Sequence, residues 1–346
     1  MKAVQLQEIG KHVLVDKEVP QPKENEVLVK VKNCGICGSD IPRTFVTGSY
    51  HFPTVLGHEF SGKIIDVGKS VDDDQIGKKV VVFPLMPCNN CRACATGNYV
   101  QCKNYNYFGS RTDGGFEEYV AVPTWNLLYI ADHVDYDVAA MTEPATVAQH
   151  VINKSELQIG ENIVIFGAGP IGLMAGLWAK IAGANEIIFF DVDDDKVEFA
   201  KSQGFKKSFN NLKIDASQKI QDILNDDVVH VVVEATGNSG AFNQCIENVG
   251  IFGRVVLLGN PHSDMTIKKS AYDSFMRKEA RIIGIFNSLY KGITKNEWQT
   301  TINALRDDKL NLKPLITHKV SLDELAKAFE MIHKKKEFYC KVMTEL

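Results

Sequence analysis

The chain has 346 residues, of which 45% are hydrophobic, and a formal net charge of -4. This length exceeds what a single core of ordinary size accommodates, so two domains are expected. Charges of both signs are interspersed along the chain, which excludes a basic footprint for nucleic acid or for an anionic membrane surface. We therefore expect a globular protein that does not bind nucleic acid.

Two apolar features bear on targeting. Residues 1–8 lack the apolar core of a secretory signal peptide, so a cytoplasmic location is expected. Residues 166–184 are nearly all apolar and include the spacing Gly172-x-x-x-Gly176, which packed membrane helices use. This stretch begins with Gly-Ala-Gly-Pro and is interrupted by Lys180, so we interpret it as a buried strand, turn and helix rather than a membrane span.

The first part of the chain has the pattern of short strands and turns. Val27, Val29 and Val31 alternate with their neighbours, which is typical of a β-strand. The loop that follows carries Cys34 and Cys37. A Cys-x-x-Cys pair can form a redox disulfide, but the βαβ context of that motif is missing here.

The run Leu56-Gly57-His58-Glu59 carries the first candidate metal ligand. Together with Cys37 it offers an imidazole, a thiolate and a carboxylate, the ligand types of a zinc ion that keeps one coordination position open. Gly57 permits a close backbone approach. Glu59 can adjust the properties of the metal as a neighbour of its ligands. A zinc-protease helix is excluded, because Gly62 rather than a second histidine stands four residues after His58.

Four cysteines then follow in one short segment, at Cys88, Cys91, Cys94 and Cys102. Four thiolates form a closed tetrahedral site without a vacancy for substrate, so a structural zinc is predicted. An iron–sulfur cluster is the alternative, but the spacing and the missing proline do not match the bacterial cluster motif.

A further carboxylate lies in Thr142-Glu143-Pro144, at the start of a helix expected to run through Val151. An acidic residue there can simply interact with the helix dipole. Its place just before the glycine-rich segment that follows also makes Glu143 a candidate third ligand of the open metal site.

At Asn162 the pattern changes to that of a nucleotide-binding domain. The apolar strand 163–166 leads into Gly167, Gly169 and Gly172, and a helix is expected to about Ala182. Asp191 ends the next apolar strand, nineteen residues after Gly172. This order of strand, glycines, helix, strand and acid is typical of a dinucleotide fold.

These residues also predict which nucleotide binds. The glycines let the backbone approach a pyrophosphate at the helix N-terminus, and Asp191 can accept hydrogen bonds from the adenosine ribose. A 2′-phosphate would meet Asp191, Asp193, Asp194 and Asp195. We therefore predict NAD rather than NADP.

The remaining segments complete the predicted fold. Apolar strands at 228–233, 254–258 and 281–286 predict a doubly wound parallel sheet. Ser321-Leu322-Asp323-Glu324 is a capping box ahead of a helix through roughly Lys334.

Taken together, these motifs resemble the zinc-dependent medium-chain dehydrogenases, and the resemblance covers essentially the whole chain. The Glu143-Pro144 pair is similar to the polyol dehydrogenase group, since alcohol dehydrogenases have a cysteine at that position. The runs 37–43, 56–62 and 109–116 are most similar to members that act on galactitol 1-phosphate. The resemblance implies an α/β protein with a β-rich GroES-like catalytic domain (1–145 and 285–346) and a Rossmann domain (146–284).

The resemblance also implies roles for individual residues. Cys37, His58 and Glu143 would hold a catalytic zinc with Glu59 nearby, and Ser39 would relay the alcohol proton. With the four-cysteine site this makes two zinc ions per chain. The residues implied or predicted for NAD are Gly167, Gly169, Ile171, Gly172, Asp191, Lys196, Leu258, Gly259, Asn260, Ile285 and Phe286.

The expected reaction is oxidation of a secondary hydroxyl of an alditol phosphate by NAD, for example of galactitol 1-phosphate to tagatose 6-phosphate. Arg43 and Arg111 are the candidate phosphate-binding cations. If both form ordinary ion pairs, free polyols such as sorbitol or galactitol become the better substrates. A catalytically silent NAD-binding protein is a third hypothesis, and it predicts a broken zinc site. The resemblance implies a homodimer or homotetramer.

Overall fold

The computed structural model describes residues 1–225, 227–261, 263–292 and 296–346. They divide into two compact units. The first unit comprises Met1–Thr146 and Leu289–Leu346, and the second comprises Val147–Ser288. The second unit is thus one continuous stretch inserted into the first.

The strands are numbered in chain order. They are β1 (Lys2–Glu8), β2 (Lys11–Asp16), β3 (Glu26–Gly35), β4 (Thr54–Val55), β5 (Glu59–Val67), β6 (Lys79–Val82), β7 (Leu85–Met86), β8 (Asn106–Tyr107), β9 (Tyr119–Pro123), β10 (Leu127–Tyr129), β11 (Ile163–Phe166), β12 (Ile187–Asp191), β13 (Ser208–Asn210), β14 (Val231–Glu234), β15 (Arg254–Leu257), β16 (Arg281–Gly284), β17 (Ile316–Ser321) and β18 (Lys341–Glu345).

The helices are numbered in the same way. They are α1 (Asp40–Pro42), α2 (Arg92–Ala95), α3 (Tyr136–Ala140), α4 (Thr142–Ser155), α5 (Pro170–Ile181), α6 (Asp194–Ser202), α7 (Ala216–Leu224), α8 (Ser239–Asn248), α9 (Lys269–Arg277), α10 (Glu297–Arg306) and α11 (Leu325–His333).

A seven-stranded sheet forms the centre of the first unit. Its order is β10-β6-β5-β3-β18-β17, and β9 also pairs with β3. The predicted alternation in β3 is confirmed as core, with Val27, Val29 and Val31 buried. Strand β18 runs antiparallel to β3 with Met343 opposite Gly35, so a segment from the far end of the sequence lies beside the loop that follows β3.

The second unit contains a six-stranded parallel sheet of order β13-β12-β11-β14-β15-β16. Its central strands are apolar runs except for the buried Glu234 at the end of β14, as expected for strands covered on both faces. The strand order reverses between β11 and β14, and the crevice at such a point is where open α/β sheets bind ligands. The predicted doubly wound sheet is confirmed.

Several element bounds differ from those predicted. Strand β14 begins at Val231 rather than at residue 228, because the amide of Asn162 donates to the carbonyl oxygen of Val228 at 3.0 Å and holds that residue outside the ladder. Strand β16 ends at Gly284 instead of 286. Strand β5 begins at Glu59, so the Gly-His-Glu motif leads directly into it.

The apolar stretch 166–184 consists of the end of β11, a turn and α5, as interpreted from the sequence. Within the described ranges, no helix combines the length and apolar character that crossing a bilayer requires. The capping box at Ser321 and Glu324 is also present, and it precedes a single 3-10 turn that continues into α11.

Candidate active site

Pairing between β3 and β5 brings the two metal-ligand motifs together. Gly35 is opposite Glu59 in this antiparallel pair, so the loop carrying Cys37 lies next to His58. Ligand atoms of Cys37, His58 and Glu59 all lie within 4.8 Å of one another. The structure therefore places a thiol, an imidazole and a carboxylate in one cluster, and both His58 and Glu59 are buried.

Asp40 stands directly behind this cluster and was missed by the sequence reasoning. Its Oδ1 lies 3.5 Å from His58 Nδ1, and its Oδ2 accepts a hydrogen bond from the Cys37 amide at 3.1 Å. Burial raises the pKa of Asp40, but His58, Arg43 and the amide of Cys37 together outweigh burial and lower it overall. A carboxylate on the second ring nitrogen of a histidine orients that ring toward a metal. The sequence did offer a signal for Asp40, because it is a carboxylate only three residues after the candidate ligand Cys37.

Glu143 lies in the first turn of α4 and is buried. The hydroxyl of Tyr107 donates to its Oε1 at 3.4 Å. The net pKa of Glu143 is raised to about 7. Burial is the largest cause, while His58 lowers this pKa and Glu59 raises it. Glu143 is not within the 4.8 Å cluster, but it is close enough for the charges of that cluster to act on it.

Glu59 has a fixed cationic partner, Lys341 of β18. Their ion pair is almost completely buried, with 1% and 4% of the two side chains exposed. Lys341 Nζ also donates to the carbonyl oxygen of Ile36 at 2.9 Å. A side chain at Gly35 would overlap both partners, so a glycine is required there. No sequence motif pointed to Lys341, because only the register of β18 brings it here.

The donor set fits a zinc ion. Burial lowers the pKa of His58, but Asp40 and Cys37 outweigh burial and raise it well above the usual value. Asp40 and Cys37, the negative groups that stabilise a proton on this imidazole, would equally stabilise a bound metal cation. Ser39 Oγ lies 3.3 Å from Cys37 Sγ, so its hydroxyl is beside the same cluster. Cys34 lies apart from these ligands, buried against Gly57.

The four-cysteine segment forms a second cluster. The sulfur atoms of Cys88, Cys91, Cys94 and Cys102 all lie within 4.8 Å of one another. Hydrogen bonds from the backbone of Cys94 and Lys103 lower the pKa of Cys91 to about 6, whereas burial raises that of Cys94 to about 12. A thiolate is the form that binds zinc, so this geometry and chemistry fit a closed tetrahedral site.

The glycine-rich turn of the second unit is built for close approach of a ligand. Gly167 has a φ of 108°, and a side chain at Gly172 would overlap the carbonyl oxygen of Gly167. Gly169 precedes Pro170 at the N-terminus of α5, and open space surrounds the position of its missing side chain. The turn thus combines tight packing with an open face at a helix N-terminus, where a pyrophosphate is favoured.

Asp191 connects this turn to a cleft. Its Oδ2 accepts a hydrogen bond from the amide of Ala168 at 2.7 Å, and its Oδ1 accepts one from the amide of Asp193 at 3.1 Å. The cleft has a volume of about 290 Å³, a size suited to part of a dinucleotide. Its lining residues are Phe166, Phe190, Asp191, Val192, Asn211, Leu212, Thr236, Asn238, Gly240, Ala241 and Gln244.

The other predicted cofactor residues follow the carboxyl ends of the same sheet. Leu258, Gly259 and Asn260 come directly after β15, while Ile285 and Phe286 come directly after β16. Ile171 lies in the first turn of α5, and Lys196 is half-buried in α6. The sequence reasoning missed Asn211, whose amide donates to Gln244 at 2.8 Å at the edge of the cleft. Its place after β13 was the available signal.

The two candidate phosphate-binding arginines have different surroundings. Arg43 Nη1 lies 3.3 Å from Asp40 Oδ1 and so belongs to the group behind the metal cluster. Arg111 takes part in none of the ion pairs seen in the described part of the chain, and its guanidinium is stacked between Tyr50 and Tyr105.

Comparison with known proteins identifies the family. The alcohol dehydrogenase GroES-like domain matches residues 23–132, and the zinc-binding dehydrogenase domain matches residues 170–307. Galactitol 1-phosphate 5-dehydrogenase of Escherichia coli (strain K12) is 35% identical over 312 residues, 90% of either chain. The chain belongs to the zinc-dependent medium-chain dehydrogenase family. This medium-chain dehydrogenase is therefore an oxidoreductase that uses zinc and a nicotinamide cofactor on a small-molecule substrate.

Other similar proteins differ in the substrate that they are named for or in the cofactor bound to them. L-threonine 3-dehydrogenase of Aliivibrio fischeri (strain MJ11) is 31% identical over 327 residues, 92% of either chain. The crystal structure of galactitol-1-phosphate dehydrogenase from Escherichia coli matches with a TM-score of 0.93 at 33% identity, covering 100% of both chains. A structure described as a short chain alcohol dehydrogenase from Escherichia coli CFT073, complexed with NADH, has a TM-score of 0.89 at 27% identity, covering 100% of this chain and 99% of its own. A zinc-binding dehydrogenase from Sinorhizobium meliloti 1021 bound to NADP has a TM-score of 0.90 at 26% identity, with the same coverage.

Proposed function

We propose that this medium-chain dehydrogenase oxidises a secondary hydroxyl of an alditol phosphate to a ketose phosphate, with NAD as the hydride acceptor and two zinc ions per chain. Galactitol 1-phosphate, giving tagatose 6-phosphate, is the proposed substrate. The observation that carries the choice of a phosphorylated substrate is Arg111, a cation without a carboxylate partner in the described part of the chain. The likeness to galactitol 1-phosphate 5-dehydrogenase supports the same choice.

Cys37, His58 and Glu143 are the proposed ligands of the catalytic zinc. Bound there, zinc would supply a Lewis acid that lowers the pKa of an alcohol, as it lowers that of water to about 7. Asp40 orients the His58 ring from behind. Lys341 forms an ion pair with the carboxylate of Glu59. Glu143 has no ion pair with a lysine among the described residues, so we assign the third ligand to Glu143 rather than to Glu59.

Ser39 is the proposed acceptor of the alcohol proton. Its hydroxyl oxygen lies 3.3 Å from the sulfur of Cys37, and the side chain is partly exposed. A hydroxyl in this position can take up the proton on one side and pass it to water on the other. Cys88, Cys91, Cys94 and Cys102 would hold the second zinc, which stabilises the loop and takes no part in the reaction.

NAD is preferred over NADP in this proposal because of Asp191. A buried carboxylate at the end of β12 favours ribose hydroxyls and repels a 2′-phosphate. Asp194 and Asp195 in the first turn of α6 add negative charge nearby. The nicotinamide, when bound, is the hydride acceptor, and the protein supplies its position and surroundings.

A homodimer or homotetramer is also part of the proposal. Strand β16 is at the edge of the parallel sheet, and Ile282 and Phe286 are exposed there. Tyr272 and Met276 are exposed on α9. Exposed apolar side chains beside an open sheet edge are typical of association surfaces. The cytoplasmic location fits eight cysteines without a disulfide, six of which belong to the two clusters or to the Cys34-x-x-Cys37 loop.

The proposal is tested by following NADH formation with zinc-loaded enzyme. The substrates are galactitol 1-phosphate, galactitol, sorbitol, sorbitol 6-phosphate, L-threonine and simple alcohols. A kcat/KM for galactitol 1-phosphate well above the others supports the proposal. Equal or better use of free polyols assigns the chain to sorbitol- or galactitol-type oxidation. The absence of turnover with every substrate, despite bound zinc and NAD, would instead support a silent nucleotide-binding protein.

A further inference from the structure

Arg111 is in cation–π contact with two aromatic rings. Its Cζ lies 4.3 Å from the ring centre of Tyr50 and 4.4 Å from that of Tyr105. A guanidinium stacks well on aromatic faces, and each such contact favours the charged group. With both rings in contact with the guanidinium, its N–H donors remain as its means of binding a ligand.

The charge of Arg111 lacks an anionic partner in the described part of the chain. Its Nε is buried without a hydrogen-bond acceptor, and its Nη2 is 3.4 Å from the hydroxyl of Tyr50, a long contact. Removing a cation from water costs free energy, and without a counter-ion nothing compensates that cost. An incoming oxyanion relieves that cost and displaces no carboxylate.

The turn that carries Arg111 is fixed against the metal cluster. Its amide donates to the carbonyl oxygen of Tyr107 at 3.0 Å. Gly109 of the same turn packs on the backbone of Gly57, and a side chain at Gly109 would overlap it. Since His58 directly follows Gly57, the position of Arg111 is tied to that of a proposed zinc ligand.

A continuous row of aromatic contacts joins His58 to Arg111. The rings of His58 and Tyr107 meet edge-on at 5.7 Å, and those of Tyr107 and Tyr105 at 6.1 Å. Tyr105 then stacks on Arg111. Two aromatic side chains thus connect the cationic site with the metal cluster.

We infer that the Tyr50–Arg111–Tyr105 stack binds the phosphate of the substrate and is the determinant that selects a phosphorylated alditol over a free one. This inference rests on the proposed function and deepens it. The planar fork of the guanidinium donates two parallel hydrogen bonds to phosphate oxygens, while the tyrosine rings fix its plane. Arg111 is the phosphate-binding residue, and Arg43 is a positioning residue that acts through Asp40.

A carboxylate is the other oxyanion that such a fork recognises. In L-threonine the carboxylate is only two carbons from the hydroxyl that is oxidised. In an alditol 1-phosphate oxidised at C5, the phosphate is separated from the reacting hydroxyl by most of the carbon chain. The intervening Tyr107 and Tyr105 favour the longer substrate.

The test compares kcat/KM for galactitol 1-phosphate, galactitol and L-threonine in zinc-loaded variants. Arg111→Met lowers the ratio of galactitol 1-phosphate to galactitol about 10- to 100-fold, the scale of a hydrogen bond to a charged group. Arg111→Lys keeps the charge without the fork and gives an intermediate ratio. Tyr50→Leu and Tyr105→Leu each lower the ratio about 2- to 5-fold, as expected for a partly exposed cation–π contact.

Two comparison variants separate this role from others. Arg43→Met lowers kcat/KM for the phosphorylated and the free alditol by the same factor, because Asp40 contacts the metal cluster rather than the phosphate. Arg306→Met removes an exposed arginine paired with Asp307 and leaves the ratio unchanged. Inorganic phosphate provides a second readout, since it competes with galactitol 1-phosphate in the wild type and competes less in Arg111→Met.

The outcomes distinguish the inference from the proposed function. A wild type that prefers galactitol 1-phosphate while Arg111→Met and Arg111→Lys retain its full ratio overturns the inference alone. A wild type without this preference overturns the proposed function. If L-threonine is preferred and Arg111→Met reduces its use, the stack binds a carboxylate and the phosphate assignment is wrong. If Arg111→Met does not fold, the Tyr50→Leu/Tyr105→Leu variant decides, and an unchanged ratio there contradicts the inference.

Discussion

The ammonium of Lys341 pairs with the carboxylate of Glu59 where neither side chain reaches solvent. Burial lowers the pKa of Lys341, but Glu59 outweighs burial and raises it, so the lysine stays charged. Removing one partner of such a pair strongly lowers the stability of the fold, because the remaining charge stays buried without compensation.

We therefore expect Lys341→Met to lower the free energy of unfolding by about 3 to 5 kcal/mol. Adding Glu59→Gln in the double variant removes the orphaned charge and recovers most of this loss. Urea unfolding of the zinc-loaded proteins measures both effects. A single variant that loses less than about 1 kcal/mol, the scale of an exposed pair, would contradict the buried ion pair.

Metal analysis tests the two clusters separately. Cys94→Ser removes a ligand of the four-cysteine site, so the purified protein should hold one zinc ion fewer per chain and its loop should become sensitive to proteolysis. Cys37→Ser should lose the other zinc ion and all alcohol oxidation, while NAD still binds. Retained turnover in Cys37→Ser would remove Cys37 from the catalytic site.

Asp191 is predicted to control the choice of cofactor. Asp191→Ala removes the acceptor of the ribose hydroxyls, so KM for NAD should rise about 10- to 100-fold and the preference over NADP should fall. The exposed Asp222 on α7 provides a matched control, because Asp222→Ala removes the same charge elsewhere. An unchanged ratio of NAD to NADP use in Asp191→Ala would exclude the proposed role.

Acid stability depends in part on His12. Burial lowers the pKa of His12 to about 4 from its usual 6.5, while Asp40 raises it slightly. The unfolded chain therefore binds a proton that the folded chain does not, and stability is lost as the pH falls from 6.5 to 4, by at most about 3 kcal/mol.

The variant His12→Phe keeps the ring contact with Phe329 and cannot bind this proton. It should lose less stability than the wild type across that pH range, as measured by urea unfolding at pH 7, 5.5 and 4. His51→Gln, at an exposed position, serves as the control. Equal losses in wild type and His12→Phe would show that His12 does not contribute.

The sequence predicted those features that depend on neighbouring residues. Ile163 to Asp191 form one strand, turn, helix and strand, so their order in the chain is nearly their order in space. The four cysteines likewise lie on one short loop. The predicted start of a strand at residue 228 was wrong, because the side-chain amide of Asn162, distant in the sequence, donates to the carbonyl oxygen of Val228.

The remaining features depend on sheet register and on separate loops. Lys341 reaches Glu59 only because β18 pairs with β3 in one particular register, which no local pattern encodes. The two tyrosines that hold Arg111 come from different segments, and a hydrogen bond from Ser49 Oγ to the carbonyl oxygen of Ser110, at 3.0 Å, ties these segments together. Asp40 could have been found from its place after Cys37, but its function depends on the orientation of His58.

The insertion of one unit into the other has a consequence for how the protein is made. Residues 147–288 are continuous, so all six strands of their sheet are synthesised before β17 and β18. The seven-stranded sheet can close only after β18 emerges, and β18 carries the partner of Glu59. During translation the nucleotide-binding unit can therefore fold first, and the metal cluster is the part of the protein that is completed last.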